Sequence, residues 1–122
     1  MPFKIDFELN DLEYEVLTDC LFYWVKELLH RIVQIILSRY SLEDQLKIME
    51  ILKRYDGCCN PEDIQKTATT YVEEVERLAE CLEHNKKVLQ EIAEALGIDI
   101  NVNADPELCI EEAIEWTRNK HI

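Results

Sequence analysis

The stretch from Ile64 to Leu96 reads IQKTATTYVEEVERLAECLEHNKKVLQEIAEAL. Its apolar positions are Ile64, Ala68, Tyr71, Val75, Leu78, Leu82, Leu89, Ile92 and Leu96, with Asn85 the one polar member; they recur at alternating steps of four and three. A 4,3 period sustained over so many turns is the pattern of a helix with a heptad seam. It predicts one helix on the order of 50 Å long at 1.5 Å per residue, closed by Gly97 as a left-handed cap. Beside the seam lie Val72, Ala79, Cys81, Val88, Ala93 and Ala95. A two-stranded zipper carries charge at those flanking positions, so this wider apolar face predicts packing into a bundle.

Upstream, Leu12 to Tyr40 reads as a second long helix. Its polar residues Asp19, Lys26, Glu27, His30, Arg31, Gln34 and Ser38 fall on a narrow stripe, and nearly all the remaining circumference is apolar, Trp24 included. Such a helix is buried on most sides. Asn10 or Asp11 caps it, and Glu13 sits three after Asn10, as in a capping box. Ser41 caps a shorter helix that stops at Asp56-Gly57; its apolar face is either Leu42, Leu46, Met49 and Leu52 or Ile48 and Ile51. Asn60-Pro61 starts the heptad helix, and Asp105-Pro106 starts a last one whose inner face reads Cys109, Ala113 and Trp116, widened by Ile110 and Ile114. Phe3, Ile5, Phe7 and Leu9 alternate with polar residues, as do Ile98, Ile100 and Val102. Period-two alternation marks short strands, leaving room for a minor two-stranded β element. The fold class is therefore all-α: one helical domain spanning residues 1–122.

With two glycines among 122 residues, a glycine-rich phosphate loop has nothing to be made of. The net charge is −13, and the second half holds 15 of the 26 acids against 6 of the 13 bases. That field repels nucleic acid and anionic membrane, and it favours a basic protein partner or simply keeps the protein soluble. The N-terminus MPFKIDFELND lacks the basic and then apolar order of a secretory leader, so the expected compartment is the reducing cytoplasm. Its five cysteines are expected to be free, three of them packed as small hydrophobes.

Cys58, Cys59, Cys81 and His84 have the donor chemistry of a zinc site. No C-x-x-C spacing is present, and the heptad register turns Cys81 inward and His84 outward. No metal or cofactor is expected. Glu73-x-x-Glu76 and Glu91-x-x-Glu94 resemble the acidic pairs of all-α nucleotide pyrophosphohydrolases of the MazG type, which hold magnesium. That resemblance covers these four residues and implies a metal-dependent nucleotide hydrolase. The family sets its pairs on two facing helices and ends on Asp; here one helix carries both and Glu94 stands last.

The reading that accounts for more of the chain is a non-enzymatic interaction module: a regulator, adaptor or inhibitor of the kind a phage or mobile element directs at a host factor. Glu73, Glu76, Glu80 and Glu83 form an outward acidic ridge able to imitate a phosphate backbone and hold the basic partner. Asn85, Tyr71, Leu78, Leu82 and Trp24 are expected to set the core and a homo-oligomeric contact. A buried Asn in such a seam specifies register or partner, unless it reaches solvent.

Overall fold

The computed structural model describes residues 4, 5, 7–100 and 104–120. Among the described residues five helices follow one another: α1 (Asp11–Leu37), α2 (Leu42–Arg54), α3 (Pro61–Thr67), α4 (Tyr71–Leu96) and α5 (Pro106–Lys120). The chain is all-α, and among the described residues there is no strand. Of the two expected strands, Lys4, Ile5, Phe7–Leu9 and Ile98–Ile100 are irregular, and Phe3, Asp6, Asn101 and Val102 lie outside the described residues.

Helix starts follow local chemistry. Asn10 Oδ1 accepts from the Glu13 amide at 2.8 Å, and Glu13 Oε1 accepts from the Asn10 amide at 3.1 Å, so two orphan donors are satisfied reciprocally. Ser41, Asn60 and Thr70 cap α2, α3 and α4 through side-chain oxygens. Asp105 Oδ1 accepts from the Glu107 amide at 3.1 Å. Helix α4 ends at Gly97, whose φ of 68° is left-handed, a conformation glycine adopts without Cβ strain.

The long heptad helix is broken. At Ala68 the backbone leaves the helical region, and α4 restarts after Thr69-Thr70. Hydroxyl side chains compete for backbone partners. Thr70 Oγ1 accepts from the Glu73 amide at 3.1 Å, while Glu73 Oε2 accepts from both the amide and the hydroxyl of Thr69 at 3.0 and 2.7 Å. Together these bonds reward a fresh helix start over continuation. Helix α1 also stops early, at Leu37 rather than Tyr40.

Helix α4 is the centre, touching every other helix. Val75, Leu78, Leu82, Asn85, Leu89 and Ile92 are fully buried along it, joined by Ala79, Cys81 and Val88. The facing stripe of α1 is Leu17, Leu21, Val25, Leu28 and Ile32. This stripe is narrower than expected: Tyr23, Val33, Ile36 and Leu37 are exposed and Trp24 is half-buried. On α5 the buried register is Cys109, Ala113 and Thr117; Trp116 is 48% exposed. One position's shift replaces a large ring by a threonine whose hydroxyl donates to the Ile114 carbonyl.

Contacts with α4 trace the chain's course. Arg54 meets Glu91, Gly57 meets His84, Cys59 meets Asn85 and Cys81, and Thr67 meets Arg77. Partner numbers fall as the chain advances, so α2, its loop and α3 run antiparallel to α4. The N-terminal turns of α1 and α4 lie side by side: Tyr14 stacks on Tyr71 at 3.9 Å between centroids.

Candidate functional site

Three features are candidates for chemistry or recognition, and the first is the loop after α2. Asp56 and Gly57 both take positive φ, 56° and 81°, which turns the chain sharply onto α4. Four attachments then fix it. The Gly57 carbonyl lies 2.9 Å from His84 Nε2. Asn85 Oδ1 accepts from the Cys59 amide at 2.8 Å, and Asn85 Nδ2 donates to the Cys59 carbonyl at 3.1 Å. Cys59 and Cys81 are joined by a disulfide.

Asn85 therefore does not reach solvent. It is fully buried and pairs with one residue's whole peptide edge. The expectation of free cysteines is corrected at this point, since the turn brings the loop thiol onto the inward-facing thiol of α4. Cys81 and His84 also do not diverge as the heptad register suggested; with Cys58, Cys59, Tyr55 and Glu80 they border one open hollow. Among the described residues no cluster of His, Cys, Asp and Glu forms a metal-binding set.

The acids form the second feature. Glu73 and Glu76 are engaged within the chain: Glu73 with Thr69 and, at 3.7 Å, with Arg77, and Glu76 as acceptor for the Ile5 amide at 2.8 Å. The Thr69 bonds, with Arg77 adding to them, lower the Glu73 pKa. Glu80 is exposed and Glu83 half-exposed. Glu91 holds Arg54 at 2.9 Å and Glu94 is exposed. From Glu73 to Glu91 the helix rises about 27 Å, so the two acidic pairs do not converge on one ion within a chain. Helix α5 adds Glu107, Glu111, Glu112 and Glu115, all exposed. The sequence pattern does not single these out, although the i, i+4 spacing of Glu107, Glu111 and Glu115 is visible in it.

Buried Glu74 is a different kind of acid, because Tyr14 donates to its Oε2 at 2.7 Å. Tyr71 stacks on that tyrosine and donates to Asp11 at 3.0 Å. The hydrogen bond to Glu74, with burial adding to it, raises the Tyr14 pKa to about 12. A folded-state value above the unfolded value near 10 contributes stability that is complete below pH 10 and is lost as pH climbs toward 12. Alkaline denaturation of Tyr14→Phe is therefore expected to be less steep over that window than that of the parent. Parallel curves would mean that the Tyr14–Glu74 bond is energetically silent.

The third feature is a pair of apolar stripes facing outward. On α2, Leu42, Leu46 and Met49 are 72%, 57% and 64% exposed, while Ile48 and Ile51 turn into the core. Of the two faces that fit the sequence pattern, the isoleucine one packs on α4. At the end of α1, Val33, Ile36 and Leu37 are exposed as well. No described helix is long and apolar enough to cross a membrane. No protein-family model, curated protein or solved structure matches the chain.

Proposed function

We propose that the protein is a non-enzymatic interaction module that pairs with a second copy of itself through α2 and offers its acidic remainder to a basic protein, as regulator, adaptor or inhibitor. The observation that carries this reading is the outward stripe Leu42, Leu46 and Met49. Large apolar side chains at i, i+4 and i+7 on a solvent-facing helix side mark an interaction surface.

Charge supports a second copy as occupant. The chain carries −13 overall, yet residues 26–54 hold six bases against four acids. Two copies therefore repel least where the stripe lies. Helix α2 has Glu43 and Asp44 in its first turn and Lys53 and Arg54 in its last. An antiparallel pairing about a two-fold axis sets each acidic turn against the other copy's basic turn, as an isologous interface requires.

Charge-based recognition of the basic partner then falls to Glu80, Glu83 and the four glutamates of α5, with Glu73 and Glu76 partly committed within the chain. The compartment in this reading is the cytoplasm. Disulfides there are rare and chiefly redox-active, which gives Cys59–Cys81 a regulatory meaning. Light scattering at micromolar concentration is expected to give a dimer for the parent and a monomer of unchanged helicity for Leu46→Glu. A monomeric parent would refute the self-pairing. Charge reversal at Glu80 and Glu83 is expected to slow association with the basic partner, most strongly at low salt.

A further inference from the structure

Cys20 on α1 and Cys109 on α5 are free thiols with their sulfurs 3.1 Å apart. Closing to the ~2.05 Å of a disulfide needs the two sulfurs to approach by only about 1 Å. The two sulfurs differ in access: Cys20 is half-buried and Cys109 nearly fully buried. An incoming reagent meets Cys20 first, with the Cys109 sulfur 3.1 Å away. The thiols come from opposite ends of the chain, 89 residues apart, so their bond would tie the last helix to the first.

We propose that Cys20 and Cys109 form a dithiol redox site for low-molecular-weight disulfides, with Cys20 the attacking thiol and Cys109 the resolving one. The sulfur–sulfur hydrogen bond with Cys109 lowers the Cys20 thiol to about 7, against the opposing effects of burial and Glu112. The same bond, with burial, raises Cys109. Access makes Cys20 the attacking member, because an attacking thiolate must be reached by the reagent.

In the first step the Cys20 thiolate attacks one sulfur of the reagent. A bond from Cys20 forms, the reagent's own disulfide breaks, and one small thiolate leaves and takes a proton from water. Cys109 then gives its proton to solvent and attacks the Cys20 sulfur. The Cys20–Cys109 bond forms and the second small thiolate leaves and is protonated. Two protein thiols are oxidised, one external disulfide is reduced, and the protons balance.

The charges facing the pair select the reagent. Glu112 and Asp105 both act on Cys109, and Glu112 acts on Cys20 as well. Together with the chain's net charge of −13 they favour a cationic disulfide over an anionic one.

The test uses the full chain carrying Cys58→Ser, which removes the third free thiol, and treats it with cystamine or with oxidised glutathione. Intact-mass and peptide mapping without reductant are expected to show loss of two thiols, a Cys20–Cys109 bond and no retained adduct. Cystamine is expected to react roughly tenfold faster than oxidised glutathione, relative to the same ratio on free cysteine. The bonded form is expected to melt on the order of 10 °C higher, as a cross-link closing so long a loop implies. Cys109→Ser should hold one adduct on Cys20, whereas Cys109 in Cys20→Ser should stay unmodified. Persistence of both thiols in the Cys58→Ser chain, or an adduct that never resolves there, overturns the proposal without resting on either cysteine variant. Faster labelling of Cys109 than of Cys20 overturns the assigned order.

Discussion

Asn85→Leu is expected to lower folding stability by about 3 kcal/mol, with a fall in melting temperature of roughly 10 °C. Viewed as a heptad position, the substitution completes an apolar seam and ought to stabilise. The structure reverses the sign. Asn85 has no solvent exposure, and its amide satisfies both the N–H and the carbonyl of Cys59. Leucine keeps the branched four-atom outline but leaves both peptide groups without their partner, at about 1–3 kcal/mol for each buried polar group so stranded. Asn85→Asp is the sharper control, since it keeps the acceptor for the Cys59 amide and loses the donor to the Cys59 carbonyl. Urea denaturation of the three proteins should rank parent, aspartate, leucine if the acceptor bond dominates. A leucine variant as stable as the parent would mean that water replaces the asparagine.

Opening the Cys59–Cys81 bond by Cys59→Ser is expected to cost a further amount of similar size, about 3 kcal/mol for a loop with a sequence separation of 22. The variant leaves Cys20 and Cys109 untouched, so the effect belongs to this bond alone. The disulfide and Asn85 hold the same residue, so the two losses are not additive. With the bond intact, the tether holds the Cys59 peptide against the leucine, and both stranded groups carry their full penalty. Without it, the loop is free to leave α4 altogether. A double-mutant cycle should show coupling of at least about 0.5 kcal/mol. Identical denaturation midpoints for Cys59→Ser and the parent would remove the bond from any account of stability.

Much of the helical framework was legible because caps are local. Asn10 with Glu13, Ser41, Asn60 with Pro61, Gly97 and Asp105 act on backbone groups within a few residues, and each marks a helix end in the structure. The break before α4 escaped because Ala68 and Tyr71 keep the seam's spacing across it. Its signal was nonetheless present: Thr70 followed three residues later by Glu73 has the form of a helix start, outvoted by a longer periodic run. Tyr71 was read as a seam residue for the same reason, yet it is exposed and stacks on Tyr14. The Cys59–Cys81 pairing and the partner of Asn85 depend on how one loop lands on α4, which no spacing within either segment encodes. The outward stripe of α2 was half legible, since either of its apolar faces satisfied the pattern and only one could pack on α4.

The interruption at Thr69–Thr70 sits inside the covalent ring closed by Cys59 and Cys81. Both threonines are exposed, and exposed, irregular backbone is where proteases cut first. A single cut there opens the ring but does not divide the molecule, because the sulfur bridge still joins the two pieces. In topological terms, the weakest stretch of backbone between α3 and α4 has a covalent bypass. The nicked protein gains one water in mass and separates into two chains only when a reductant opens the bridge.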